Sequence, residues 1–314
     1  MIKQINLINQ YPKITNLIQR DLQEISSKPI QDFRLIQAKG GVYVYKCLYN
    51  STPAIAKYFE EEDGRREISN YRILEQYGIP TIKTYALGKA SFIMEDISFS
   101  KNWRLGIAQD LADIDVAQSL AHWYFTLHEI GSNVSEINTL FFEFAKITVE
   151  NLQMLLKKLP EAQELFEFLI NNFDKFYEII FLPTFTITYN DFYWTNLIVS
   201  KDKKSAMMFD YNFMGKGYRL SDLQNVCWSM SDDAKKTFKN EYNRQYLEKY
   251  KINRTKEESF EKSIDDVAGA VYALIIAYTA NKEFPDWANN NKKEAIDGSL
   301  LYKSKRLLDI TNIN

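Results

Sequence analysis

Up to about residue 97 this 314-residue chain is written in short β-like runs separated by turn residues, and from about Asp110 onward it is written in helical periods. That change of period constrains the fold more than any other feature of the sequence. Phe33–Ala38, Val42–Tyr49 and Ala54–Phe59 read as strands, punctuated by Lys39-Gly40-Gly41 and by Asn50-Ser51-Thr52-Pro53. Glu61–Tyr77 predicts a helix, because Ile68, Tyr71 and Leu74 recur at helical spacing and Gly78 and Pro80 stop it. Two further β-like runs follow, Lys83–Gly88 and Ser91–Ile97. Helical periodicity then fills 110–130, 140–158, 161–180, 231–250, 257–281 and 291–309. One β-rich island interrupts it, at Phe185–Tyr189, Leu197–Val199 and Ala206–Phe209. The expected fold is α+β in two lobes, a small β-rich N-terminal lobe (1–97) and a larger, mainly helical C-terminal lobe (98–314), with Ile97–Trp103 as the crossover.

Composition enters as exclusions. Hydrophobic residues at 46% and aromatics at 14% specify a packed core rather than disorder. Lys+Arg (39) nearly balance Asp+Glu (41), so no overall field draws in nucleic acid or anionic lipid, and neither is expected as a partner. Cys47 and Cys227 are too few and too far apart for a disulfide framework or a zinc site, and are expected as thiols. The longest apolar stretch, Val267–Tyr278, is shorter than the ~20 residues a membrane span needs. It reads as a buried helix with Asp265 and Asp266 in its first turn, where the helix dipole favours anions. No apolar leader core opens the chain at Met1-Ile2-Lys3-Gln4-Ile5-Asn6. A soluble, cytoplasmic protein is the expectation.

The chemistry-bearing residues converge on one kind of reaction. In the island, Tyr189-Asn190-Asp191-Phe192-Tyr193-Trp194-Thr195-Asn196 is followed fourteen residues later by Asp210. Asp210 and Asn196 offer the hard oxygen ligands that Mg²⁺ takes, and Asp191 is of the type that orients or deprotonates a hydroxyl. A D-x₄-N segment alone is weak, since Asp and Asn are also ordinary turn residues. The first third adds the remaining parts that phosphoryl transfer needs. Gly40-Gly41 joins two strands with no Cβ to obstruct a phosphate. Lys57 sits inside a strand, where a charge calls for a partner, and Glu67 on the next helix can supply it. Phe92–Ile97, with Glu95 and Ile97 at its end, offers a strand edge for an adenine.

With these residues in view, the chain resembles the aminoglycoside phosphotransferase and choline/ethanolamine kinase group, a branch of the protein-kinase-like fold. The resemblance is carried by Gly40-Gly41, Lys57, Glu67, Phe92–Ile97, Leu127-His128, Asn190-Asp191, Asn196, Asp210 and Asp222. It implies a bilobal kinase-like fold and transfer of a γ-phosphate from ATP (or GTP), with Mg²⁺, to a hydroxyl of a small-molecule acceptor. It implies Asp191 as catalytic base, Asn196 and Asp210 as metal ligands, Lys57 on the α/β-phosphates with Glu67 bracing it, and Asp222 as a structural support. Gly40, Gly41, Glu95 and Ile97 would complete the nucleotide site. His128 and His122 are expected to be structural.

Asp210 is followed by Tyr211-Asn212 rather than Phe-Gly, which small-molecule kinases of this group tolerate, and two further departures from the family pattern stand out. Tyr189 occupies the place of the usual His two residues before the catalytic Asp, and the glycine loop is reduced to Gly40-Gly41. They motivate a reading from another class, a nucleotide-binding protein without transfer activity. Asn190 before Asp191 favours a choline- or ethanolamine-type kinase. Only eleven residues separate Asp210 from Asp222, too few for the segment with which a protein kinase docks a peptide, so a small acceptor is expected. Acidic residues along the helices suit a cationic one. Trp228, Trp287 and Tyr272 are expected in the core rather than in an aromatic cage, and Phe192-Tyr193-Trp194 in packing rather than stacked on substrate.

Overall fold

The structure, a computed structural model, describes residues 2–280 and 283–310, with backbone alone for 2–11 and 310. It divides into two compact units. The first contains residues 1–130, 189–214 and 225–245, and the second 131–188, 215–224 and 246–314.

The first unit opens with a helix that the sequence reading left unassigned, α1 (Ile2–Gln23). Its Ile14, Ile18 and Leu22 repeat every four residues and form one buried stripe. That stripe packs on a five-stranded antiparallel sheet of β1 (Ile30–Lys39), β2 (Val42–Tyr49), β3 (Thr52–Phe59), β4 (Thr84–Leu87) and β5 (Ser91–Glu95), in the order β1-β2-β3-β5-β4. Because strand side chains alternate, Ala54, Ala56 and Tyr58 of β3 join the α1 core. Ile55, Lys57 and Phe59 therefore point to the other face, where α2 (Glu62–Tyr77) lies. This helix buries Ile68, Tyr71 and Leu74 as the sequence predicts, and also Glu67 and Asn70. It stops at Gly78 in the left-handed region, with the Ile79 N–H returning to the Leu74 carbonyl.

The chain continues through β6 (Trp103–Leu105) and α3 (Ile114–Gly131). The helix expected over 110–130 begins only at Ile114, because residues 108–112 form a 3₁₀ turn around Asp110. Asp110 is buried, takes both Arg104 guanidinium nitrogens at 2.7 and 2.6 Å, and accepts the Ile107 N–H.

In the second unit, α4 (Val149–Lys158), α5 (Gln163–Asn171) and α6 (Phe173–Ile180) replace the two long helices expected at 140–158 and 161–180. Short 3₁₀ turns occupy 143–146 and 160–162, the latter opened by Pro160. The β island is divided between two sheets. β7 (Thr186–Thr188) pairs with β10 (Gly215–Gly217), whereas β8 (Leu197–Ser200) pairs with β9 (Ala206–Met208) and with β6.

Then come α7 (Arg219–Ser229), α8 (Asp232–Tyr250) and α9 (Thr255–Thr279). Asp265 and Asp266 sit in the middle of α9, whose first turn carries Glu257 and Glu258, so dipole stabilisation does not apply to them. Asn281, the last residue of the expected 257–281 helix, lies outside the described residues. The segment 291–309 is two helices, α10 (Asn289–Ile296) and α11 (Ser299–Ile310), separated at Gly298 with φ +82°. Among the described residues no helix is long and apolar enough to cross a membrane. Both cysteines are buried thiols. Trp228 and Trp287 do not join the core; they are 91% and 57% exposed. Each sits at a helix boundary where, among the described residues, no apolar face covers it, whereas Tyr272 packs against Phe144.

One polar cluster of the second unit carries a stability prediction. Burial, then the charges of Asp265 and Asp222, push the Glu143 carboxyl up to about 7. Burial likewise raises Asp265 to about 6. Between the ordinary carboxylate value and about 7 the folded protein binds a proton that the unfolded chain has released, so stability falls as pH rises through that window. Glu143→Gln is expected to stabilise the fold by about 1 kcal/mol near pH 8 and to change little near pH 5. Urea denaturation at the two pH values checks it.

Candidate active site

Lys57 lies at the centre. Its place on β3 aims the side chain at α2, and its ammonium donates to Glu67 Oε2 at 2.6 Å and to Asp210 Oδ1 at 2.8 Å. Lys57 and Glu67 are both buried. Burial works against the lysine's charge, but the two carboxylates outweigh it and hold its pKa above the ordinary value. One ammonium therefore ties together a strand, a helix and a loop whose sequence positions are 153 residues apart at the extreme.

The loop bearing Asp210 is moulded on α2. Asp210 has φ +63°, a conformation that Asp tolerates better than most residues. Its Oδ1 also accepts from Asn212 Nδ2 at 2.7 Å. From α2, Asn70 Nδ2 donates to the Tyr211 carbonyl at 2.7 Å and Arg66 Nε to the Asn212 carbonyl at 2.7 Å. The Asp210 N–H reaches the Tyr71 hydroxyl at 3.4 Å. The sequence reading missed Arg66, Asn70, Tyr71 and Asn212. A signal was present: Asn70 is an amide on the apolar face of α2, where a polar side chain needs a partner.

Asp191 joins this group electrostatically. Burial, then the charge of Asp210, raises its pKa above the ordinary carboxylate value, while Asn196 and Lys57 pull it down. Asn196 Nδ2 faces the Asp191 carboxylate and carbonyl, both at 3.4 Å. Asn190 adopts φ +64° and donates from Nδ2 to the Phe213 carbonyl at 3.1 Å, fixing the bend before Asp191.

Tyr189, the departure noted in the sequence, is buried, and its hydroxyl donates to the Phe209 carbonyl at 2.6 Å, beside the Asp210 carbonyl at 3.3 Å. Burial raises this phenol well above its ordinary value, so it stays a donor. It clamps the segment preceding Asp191 to the segment preceding Asp210. Tyr189→Phe is expected to cost about 1 kcal/mol of stability and to lower kcat more than it changes KM. Thermal melts and steady-state kinetics with the acceptor found by the screen below read both.

Other expected residues stand as follows. Gly40 and Gly41 form the two-residue tip of the β1–β2 hairpin with φ +57° and +75°, a turn that glycine favours. A Cβ on Gly41 would lie 3.5 Å from the Glu61 side chain and 3.6 Å from that of Glu60. β5 is paired on both sides, by β3 and β4, so an open edge begins only after Glu95, where Asp96 and Ile97 leave the sheet. Asp96 caps that exit by accepting the Ser98 N–H, and Ile97 is buried. Asp222 is buried in the second unit, in the first turn of α7. His128 is buried with Nδ1 2.7 Å from the Tyr242 hydroxyl, and exposed His122 places Nδ1 2.8 Å from Gln245 Oε1. Phe192 is buried, but Tyr193 and Trp194, expected to pack, are 62% and 38% exposed. Across the 3₁₀ turn at Trp194–Asn196 these two rings stay outward while Asn196 is half-buried.

A family model described as "Phosphotransferase enzyme family" (APH) matches residues 34–258. No curated protein matches the chain. Among solved structures, the ADP-bound aminoglycoside phosphotransferase APH(2'')-Ib is 16% identical, covers 90% of this chain and 96% of its own, and superposes with a TM-score of 0.59. The ethanolamine kinase of Plasmodium vivax is 14% identical over 87% of this chain and 84% of its own, with a TM-score of 0.56. A choline/ethanolamine kinase family protein from Mesorhizobium loti is 10% identical over 96% and 99%, with a TM-score of 0.57. At these identities the likeness is one of fold, and it agrees with the α+β, kinase-like architecture.

Proposed function

Since the chain belongs to the APH family of phosphotransferase enzymes, we propose that it is a small-molecule kinase that transfers the γ-phosphate of ATP (or GTP) to a hydroxyl of a small, cationic acceptor. The observation that carries the proposal is the Lys57 ammonium held at once by Glu67 and Asp210. Lys57 is assigned to the α/β-phosphates and Glu67 to holding it in place. Gly40 and Gly41 are assigned to covering the phosphates, and the chain at Glu95 and Ile97 to the base. Residues 1–97 would be the nucleotide lobe and 98–314 the lobe of the catalytic segment and acceptor. The proposed setting is cytoplasmic.

Asn196 and Asp210 would hold Mg²⁺. The donor set fits: one carboxylate and one amide oxygen are what this ion takes from a protein when phosphates and water complete its shell. The ion supplies charge neutralisation to the phosphates when bound. The protein's own residues do the rest. Asp191 accepts the acceptor hydroxyl's proton, and burial beside the Asp210 charge makes it a stronger base than an exposed aspartate. Asn196 holds the Asp191 carboxylate, and Tyr189 keeps the two acidic segments in register. Catalysis on this scheme is mainly positioning and charge stabilisation.

Tyr193 and Trp194, two and three residues after Asp191, expose their rings, which supports an acceptor bearing an ammonium group, since aromatic faces attract cations. Choline and ethanolamine are the alternative acceptors to an aminoglycoside. Purified protein with Mg²⁺ and γ-labelled ATP or GTP, offered aminoglycosides, choline, ethanolamine and sugar alcohols, tests the proposal. A phosphorylated product from an ammonium-bearing alcohol is the expected result. Magnesium-dependent nucleotide stabilisation with no product from any acceptor would instead identify a silent nucleotide-binding protein.

A further inference from the structure

A cavity of about 540 Å³ in the first unit takes in none of Lys57, Asp191, Asn196 or Asp210. Its size is that of a small-molecule site. Trp103, Trp123 and Met207 give it apolar walls, and Lys83, Lys204 and Glu95 are its charged residues.

The walls are fixed. Trp123 is buried, donates Nε1–H to the Pro80 carbonyl at 2.7 Å, and stands edge-on to Tyr124 and Tyr189. Trp103 pairs with Ser200, and Met207 with Ile198, two residues along the same strand. Strand alternation therefore sets Trp103 and Met207 on one face of the β6-β8-β9 sheet. Trp103 remains partly exposed, so part of its surface is available to a ligand.

The charges are unbalanced. Lys203 pairs with Asp113 at 2.5 Å, whereas among the described residues its neighbour Lys204 forms no ion pair. Nor does Lys83, whose ammonium lies 5.3 Å over the Tyr85 ring. Glu95 is the one carboxylate on the lining, against the two ammonium groups of Lys83 and Lys204. An apolar slot between rigid rings takes a flat apolar body, and the excess of cations takes a negative charge attached to it.

We propose that this cavity is a binding site for a small planar aromatic anion, a ring system carrying a carboxylate, sulfonate or phosphate, separate from the phosphoryl-transfer cluster. The site stands whether or not the kinase reading does: it shares none of that cluster's four residues, and its one residue in common with the proposed nucleotide site is Glu95.

The probe is 1-anilinonaphthalene-8-sulfonate, titrated into the full chain with and without Mg·ATP and followed by its fluorescence. One saturable site is expected, unaffected by Mg·ATP. Affinity is expected to fall about tenfold or more in the Lys83→Ala/Lys204→Ala double variant and also in Trp103→Ala. Both lysines are exposed, so the double variant should melt as the parent does. The uncharged analogue N-phenyl-1-naphthylamine should bind weakly and be indifferent to the lysine substitutions. Undiminished binding in the double variant, displacement by Mg·ATP, or the absence of saturable binding would overturn the proposal.

Discussion

Asp191→Ala is expected to lower kcat by about 10²–10⁴-fold while leaving nucleotide affinity within a few-fold of the parent. The carboxylate it removes is the one assigned to the acceptor hydroxyl, and Lys57, Glu67 and Asp210 keep their mutual contacts without it. Asp210→Ala separates the roles in the opposite sense, since it should abolish the magnesium dependence of nucleotide binding itself. The pH profile adds an independent readout. Protonated Asp191 cannot accept a proton, so kcat/KM falls as pH drops through its pKa. Burial and the nearby Asp210 charge place that value above the ordinary carboxylate range, so the acid limb lies higher than an exposed aspartate would give. Isothermal titration with Mg·ATP and steady-state rates across pH measure these outcomes. Full activity of Asp191→Ala would remove the base from the mechanism.

Lys57→Met is expected to destabilise the fold by about 3–5 kcal/mol and to weaken nucleotide binding severely. The stability loss follows from what is left behind. Glu67 is fully buried, with one oxygen paired to Lys57 and the other, among the described residues, without a hydrogen-bond partner. Removing the ammonium strands a carboxylate in a desolvated site, where it must take up a proton or draw water in. A double variant, Lys57→Met with Glu67→Gln, should recover much of the stability and none of the nucleotide affinity. That split distinguishes a functional lysine from a merely structural one. Equal melting of Lys57→Met and the parent would contradict the buried pair.

Much of this was legible in the chain. Lys57 announces itself as a charge within an apolar strand, and Glu67 is available on the following helix as its partner, though only the structure buries it there. Gly78 and Pro80 mark the helix end without any tertiary information. Other features escaped for identifiable reasons. The helix α1 rests on three buried residues spaced by four, with Leu17 the one apolar residue among the polar ones between them and Pro12 within it, so local periodicity was too thin to declare it. The island read as one β unit because strand propensity carries no partner, and pairing assigned Thr186–Thr188 and Leu197–Ser200 to different sheets. Trp228 and Trp287 were expected inside because large aromatics usually are, yet among the described residues no apolar face meets them.

What the amino-acid order decided alone was local: which segments coil, which extend, where each stops, and which residue types were at hand for phosphate, metal and proton. Tertiary structure decided who meets whom. It carried Asp210 across 153 positions to Lys57, enlisted Arg66, Asn70 and Tyr71 to shape the loop that presents it, and set the phenol of Tyr189 to clamp the segments before Asp191 and Asp210. The physical reason is that backbone preference is a property of neighbouring residues. The pairing of buried charges and amides is settled only when desolvation forces each one to find a partner, wherever in the chain that partner lies.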